Sequence, residues 1–346
     1  MRILLIGGNG FIGRSLAAVL QRNGHQVAVF HRGTTALALG LQEIRGDRNQ
    51  LADSAHDLKR FAPDVVVDLV ISSGRQAEEL MNLFRSATGR VVMLSSIDVY
   101  RAIGVTHGTE TGALQELPLT EESELRRSLH PYSPDSMRML RRIFSWATDD
   151  YDKIPAEHVV MDDSDLPGTV LRLPMVYGPG DPLHRFYPVV KRIADGRTRI
   201  IFGDAQAAWR SPRGYVANVA AAIALAATDS RAAGRIYNIC EEPAFSELDW
   251  AKKIAAEMRW QGEFVVLPME RTPRHLLQPG DYAQHWTASS ARIRRELGYA
   301  EPVTIEEAIQ QTIAWEKENP PTLPLAQFDY TAEDAALAAQ PDPRSR

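Results

Sequence analysis

Short apolar runs alternate with segments of helical spacing through the first two-thirds of the chain. Ile3–Ile6 is an unbroken apolar run that stops at Gly7-Gly8. From Phe11 to Asn23, the apolar residues Ile12, Leu16, Val19 and Leu20 fall on one helical face, and Gly24 supplies a stop. Val27–Phe30, Val65–Ile71 and Val91–Leu94 predict three further buried strands, with Glu78–Ser86 as a helix before the last. Later, Thr169–Leu173 predicts a strand, Ala217–Ala227 an alanine-rich helix and Arg235–Cys240 a late strand. Strands that alternate with helices make right-handed βαβ units and a parallel sheet. Nearly continuous apolar strands belong to a sheet covered on both faces. The predicted class is therefore α/β, a doubly wound parallel sheet.

Residues 101–131 read as a loop insertion. Residues 178–210 and 241–315 carry more Pro, Trp and charge and read as a second, smaller C-terminal lobe. The expected division is a sheet domain over 1–177, with 211–240 returning to it, then a lobe over 178–210 and 241–317. The Pro-, Ala- and Asp-rich tail, 318–346, is expected to lie on the surface or fray.

Composition narrows the classes. With 44% hydrophobic and 24% charged residues among 346, the chain is of ordinary globular make-up. A net charge of −5, from 39 Lys+Arg against 44 Asp+Glu, argues against nucleic acid as a partner. The single cysteine, Cys240, has no internal disulfide partner, which fits a reducing, cytoplasmic setting. No apolar run approaches the ~20 residues of a membrane span. No His/Cys/Asp cluster has metal-ligand spacing, so no metal is expected.

Gly7, Gly10 and Gly13 form a G-x-x-G-x-x-G pattern between the first strand and the first helix, the position of a Rossmann-type dinucleotide loop. Glycines there permit a tight turn and close approach of a pyrophosphate, and the helix start offers free N–H groups. Gly7, Gly10, Phe11, Ile12 and Gly13 are thus candidate cofactor-binding residues. The second strand runs into His31-Arg32-Gly33, where an acid would hold the ribose 2′-OH of NAD and an arginine suits the 2′-phosphate of NADP. Arg32 favours NADP over NAD, and His31 stands beside it. Asp47 reads either as an acceptor for the adenine amino group or as a turn acid.

These motifs and those that follow resemble the extended short-chain dehydrogenase/reductases of the NAD-dependent epimerase/dehydratase family. Leu94–Tyr100 resembles the family's S-S-x-x-V-Y-G segment, with Arg101 in place of its glycine. Leu117–Glu121 resembles P-x-x-E. Arg172–Gly180 resembles R-x-x-x-V-Y-G-P, Arg213–Val216 resembles R-D-F-V, and Tyr237–Ile239 resembles the Y-N-x strand. The resemblance covers residues 1–315. It implies hydride transfer between a nicotinamide and a sugar carbon, with Ser96, a tyrosine and a lysine as the catalytic set. Pro174 and the lysine are then cofactor contacts. Asp98, Met175 and Arg213 are then substrate-side residues, and Arg213 has the fork that suits a diphosphate. Family members often pair as dimers, so a homodimer is within expectation.

The family's Tyr-x-x-x-Lys departs from its usual form. Lys153, followed four residues later by Glu157, fits the lysine, but Asp149 stands four before it and Tyr151 two before it. On a regular helix two residues turn about 200°, away from the lysine. Either the helix starts near Lys153 and Tyr151 reaches the site from the preceding turn, or the site lacks its phenol. Tyr132, in His130-Pro131-Tyr132, is a further candidate if an insertion separates tyrosine from lysine. Two functions stay open: an NAD(P)-dependent epimerase, dehydratase or reductase acting on a nucleotide sugar or similar polar small molecule, or a catalytically degenerate dinucleotide-binding protein, regulatory or RNA-associated.

Overall fold

A computed structural model describes residues 1–33, 37, 40–322 and 328–339. Seven parallel strands form the central sheet: β1 (Arg2–Ile6), β2 (Gln26–His31), β3 (Gln42–Arg45), β4 (Val65–Asp68), β5 (Arg90–Ser96), β6 (Gly168–Leu173) and, after three strands outside it, β10 (Arg235–Asn238). Their order is β10-β6-β5-β4-β1-β2-β3. The three outsiders are β7 (Met175–Tyr177), β8 (Arg199–Gly203) and β9 (Arg213–Tyr215); β7 pairs with β9, and β8 with β11 (Glu263–Leu267).

Period-two alternation explains why these strands read as unbroken apolar runs. Ile3, Leu5, Val27, Val29, Val65 and Val67 face one side, against the helices Phe11–Arg22 and Val216–Thr228. Leu4, Ile6, Ala28, Phe30, Val66 and Met93 face the other, against Gly74–Phe84 and Lys153–Met161. Both faces are buried, so neither set can be polar. The fold is the doubly wound, Rossmann-type sheet.

The first core continues through Tyr177, Phe186 and Tyr215 to Trp250, Ile254 and Ile309, so the smaller C-terminal part shares its interior with the sheet. Its helices Tyr187–Ala194, Glu247–Glu257 and Ile305–Glu318 pack together.

Two stretches differ from expectation, and a third, on which the sequence pattern makes no assignment, is a helix. Residues 101–131 are not a plain loop: Arg101–Thr106 is a helix, and the stretch is sewn to 281–289 by hydrogen bonds from Leu119 N to Thr287 O (2.8 Å) and Asp281 N to Thr106 O (2.8 Å). Pro134–Ile143 is a helix with no buried residue, which is why its apolar pattern says nothing. In the tail, Tyr330–Ala338 is a helix whose Glu333 is fully buried against Arg192 (2.7 Å), so this part does not fray. Residues 323–327 and 340–346 of that tail lie outside the described residues.

Candidate functional site

The strand order reverses between β1 and β4, which places a crevice beyond their carboxyl ends. The glycine turn occupies it. Gly7 adopts φ +82°, open to glycine at no steric cost. A Cβ on Gly13 would lie 2.6 Å from Gly8 Cα, so the helix and the turn touch backbone to backbone. A Cβ on Gly10 would meet only Gly7 O, at 3.5 Å. Gly10 is the N-cap of Phe11–Arg22 and brings no side chain to it. Helix-start N–H groups therefore face a cleft of about 400 Å³ lined by Gly7, Gly10, Phe11, Ile12 and Gly13. This cradle fits a dinucleotide pyrophosphate.

Farther along the cleft, His31 is a clamp. Its Nδ1 accepts from Asn9 Nδ2 (3.0 Å) and Gly33 N (3.1 Å), which leaves the ring proton on Nε2, 3.0 Å from Glu43 Oε1. Arg32 is exposed and donates to Ser145 Oγ (2.5 Å). Asp47 lines the cleft and accepts from Asn49 N (2.9 Å), which caps a short 3₁₀ turn. Arg48, in the wall, forms a buried pair with Asp68 behind it (2.7 Å), a pair that sequence reasoning missed. Its one legible signal was an acid ending the apolar run of β4.

At the other end, β5 delivers Ser96, whose Oγ accepts from Asp98 N (3.1 Å) and turns the chain inward. Asp98 Oδ2 then accepts from two phenols, Tyr151 (2.8 Å) and Tyr132 (3.0 Å), while its buried Oδ1 has no hydrogen-bond partner among the described residues. Burial raises the Asp98 carboxyl above its ordinary value, against the lowering pull of Arg126, Tyr151 and Lys153. Burial, with the Asp98 charge next, pushes both phenols well above theirs.

The helix carrying the lysine begins at Lys153, with Asp152 as its N-cap (2.9 Å to Ile154 N). Tyr151 thus lies on the preceding turn, where the helical 200° argument has no force. Lys153 Nζ donates to Leu94 O (3.1 Å) and to Ile71 O, and faces the rings of Trp146 (5.3 Å) and Tyr151 (5.7 Å). Burial pushes its pKa down to about 8. One turn on, Glu157 receives Ser95 Oγ (2.5 Å) and Arg172 (2.7 Å), while Arg172 also donates to Tyr100 Oη (3.0 Å).

Ser96, Asp98, Tyr132, Tyr151 and Lys153 therefore meet in one patch, and residues 143–146, from the segment between the two tyrosines, line the glycine-lined cleft. The substrate-side candidates Arg213 and Met175 and the cofactor candidate Pro174 are engaged elsewhere. Arg213 Nη2 grips both carboxylate oxygens of Glu247 (2.7 and 2.8 Å), and its guanidinium sits 4.8 Å from the Trp250 ring centre. Met175 pairs with Arg213 across β7–β9, and Pro174 lies against Gly214. His184 pairs with Glu316 (2.7 Å) and stacks on Trp315. Among the described residues, no helix is long and apolar enough to cross a membrane.

A family model described as NAD dependent epimerase/dehydratase family matches residues 3–240. The chain is 28% identical over 265 residues to the 2-alkyl-3-oxoalkanoate reductase of Stenotrophomonas maltophilia (strain K279a), covering 69% of this chain and 70% of that protein. It is 23% identical over 348 residues to the UDP-glucose 4-epimerase of Yersinia enterocolitica, covering 92% and 98%. Its fold is similar to that of dTDP-glucose 4,6-dehydratase from Bacillus anthracis str. Ames, solved in complex with NAD. The TM-score is 0.65 at 18% identity, over 92% of this chain and 97% of that one.

Proposed function

We propose a reaction for a chain that belongs to the NAD dependent epimerase/dehydratase family and is an enzyme of that oxidoreductase and epimerase class: hydride transfer on a nucleotide sugar or similar polar substrate, with Tyr151 as the acid–base group. The observation that carries this reading is the convergence of Tyr151, Asp98 and Lys153, joined to the glycine-lined cleft through Trp146, which lines that cleft and faces Lys153 at 5.3 Å. When bound, the nicotinamide dinucleotide supplies the hydride carrier. Gly7, Gly10, Phe11, Ile12 and Gly13 would hold its pyrophosphate, and Lys153 and Pro174 would contact it near the reacting end. Arg32 would pair with a 2′-phosphate, which favours NADP over NAD, with His31 and Asp47 lining the adenosine side.

The protein's own contribution is the proton. Tyr151 Oη exchanges it with the substrate oxygen, and Ser96 Oγ orients that oxygen. The Lys153 ammonium favours a charged phenol nearby. Asp98 is the acceptor built into this site, and Met175 and Arg213 border the substrate side. For Arg213 to reach a diphosphate, its pair with Glu247 must open.

The experiment is hydride exchange between labelled dinucleotide and a panel of nucleotide sugars, comparing the wild type with Lys153→Ala and Tyr151→Phe. Loss of exchange in both variants, by roughly 10²-fold or more, supports the reading. Wild-type rates in either variant overturn that residue's assignment. A wild type that binds dinucleotide but exchanges hydride with no substrate favours the degenerate, binding-only alternative.

A further inference from the structure

Two phenols on one carboxylate oxygen are more than a single acid–base tyrosine requires. Asp98 Oδ2 accepts from Tyr151 at 2.8 Å and from Tyr132 at 3.0 Å. The two rings lie 5.8 Å apart. Asp98 Oδ1 is buried and has no hydrogen-bond partner among the described residues, so the hydrogen bonds to this carboxyl gather on the one oxygen that both phenols share. The charged groups facing this carboxyl are Arg126, which also pairs with Asp152, and Lys153. Neither donates to Oδ1.

We propose that Tyr132 is a positioning residue for the acid–base step: it and Tyr151 share Asp98, which takes the Tyr151 proton when that phenol receives one from the substrate. This rests on the reading of Tyr151 as the acid–base group. The step balances. The substrate O–H breaks and a new O–H forms on Tyr151. The former Tyr151 proton moves to Asp98, and the carboxylate's negative charge reappears on the substrate oxygen. Tyr132 keeps its own proton throughout. By donating to Oδ2 it favours the ionised carboxylate, so it sets how readily Asp98 accepts.

The position of Tyr132 explains a second oddity. Residues 133–150 separate the two tyrosines, yet both return to the same atom. The insertion leaves from one phenol and comes back to the other, so its ends are fixed by Asp98 while its middle reaches the cofactor cleft through Ser145 and Trp146.

The test uses protein labelled with carboxyl-¹³C aspartate, with the Asp98 resonance assigned by its loss in Asp98→Asn. The Asp98 titration midpoint is followed by NMR in the wild type, Tyr132→Phe and Tyr151→Phe. Removing one donor from the carboxylate is expected to move the midpoint up by about one pH unit in either variant. In Tyr132→Phe the acidic limb of the hydride-exchange profile moves up with it, while dinucleotide affinity stays at the wild-type level and reports an intact fold. An unchanged Asp98 midpoint in Tyr132→Phe overturns the proposal, as does a moved midpoint with an unmoved activity profile. Wild-type exchange in Tyr151→Phe overturns instead the assignment of Tyr151, and with it the proton path, whatever the Asp98 midpoint shows.

Discussion

Replacing Arg172 by methionine removes the cation from a closed, buried network behind the site. Arg172 and Glu157 side chains are each only 2% exposed and meet at 2.7 Å. In Arg172→Met, Glu157 keeps among the described residues a single hydrogen-bond partner, Ser95 Oγ at 2.5 Å, and loses its Arg172 counter-ion. Breaking a buried pair from one side costs roughly 3–5 kcal/mol, because the desolvated partner stays behind. At about 2.1 cal/mol/K of unfolding entropy per residue, a chain of 346 residues converts that to a melting temperature lower by roughly 4–7 °C. The double variant Arg172→Met/Glu157→Gln removes the stranded charge, and Tyr100 Oη still donates to Asn238 Oδ1 at 2.6 Å. Calorimetric melting of the wild type, both single variants and the double variant gives the cycle. The double variant is expected to recover at least ~1.5 kcal/mol relative to the sum of the singles. A double variant as unstable as that sum, or an Arg172→Met that melts with the wild type, would refute the account of this network.

Dinucleotide affinity is expected to fall as pH rises through about 8, where buried Lys153 loses its charge, and calorimetry on Lys153→Met should show weak binding without that limb. The linkage to folding has the opposite sign. The folded value lies below the ordinary 10.5, so the unfolded chain holds the proton more tightly. The lysine's charge therefore opposes folding most below about 8, and the penalty lifts as pH climbs toward 10.5. Arg32→Ala should weaken NADP by roughly tenfold or more and leave NAD nearly unchanged; equal losses for both would remove Arg32 from the 2′-position. Trp146 lines the cleft and faces Lys153 at 5.3 Å, so dinucleotide binding should change tryptophan emission in the wild type and much less in Trp146→Phe. An identical emission change in both would place Trp146 away from the bound molecule.

The parallel sheet was legible because both of its faces are buried: runs such as Val65–Asp68 carry the signal in themselves. The glycine loop was legible because backbone geometry demands glycine at Gly7 and Gly13. Lys153 was singled out by resemblance to the family, from its spacing to Glu157, and in the structure Glu157 turns inward to Arg172 while Lys153 starts the helix. The phenol pair was not legible. Asp98 meets Tyr132 and Tyr151 across 34 and 53 residues of sequence, and no local period encodes such a meeting. The helix Pro134–Ile143 buries nothing, so hydrophobic pattern is silent there, although Ser133-Pro134 was a start signal: Ser133 accepts from Ser136 N at 3.2 Å. Arg213 shows the converse limit. Its motif was legible, but its partner Glu247 lies 34 residues on.

Equilibrium binding of NADP, NADPH, NAD and NADH to the purified protein, read by calorimetry, asks whether the glycine-lined cleft holds a nicotinamide dinucleotide. One site per chain is expected, tighter for the phosphorylated pair and weakened by Lys153→Met. Absence of binding by all four dinucleotides would contradict it, because the glycine cradle, Arg32 and Lys153 would then have no ligand to hold.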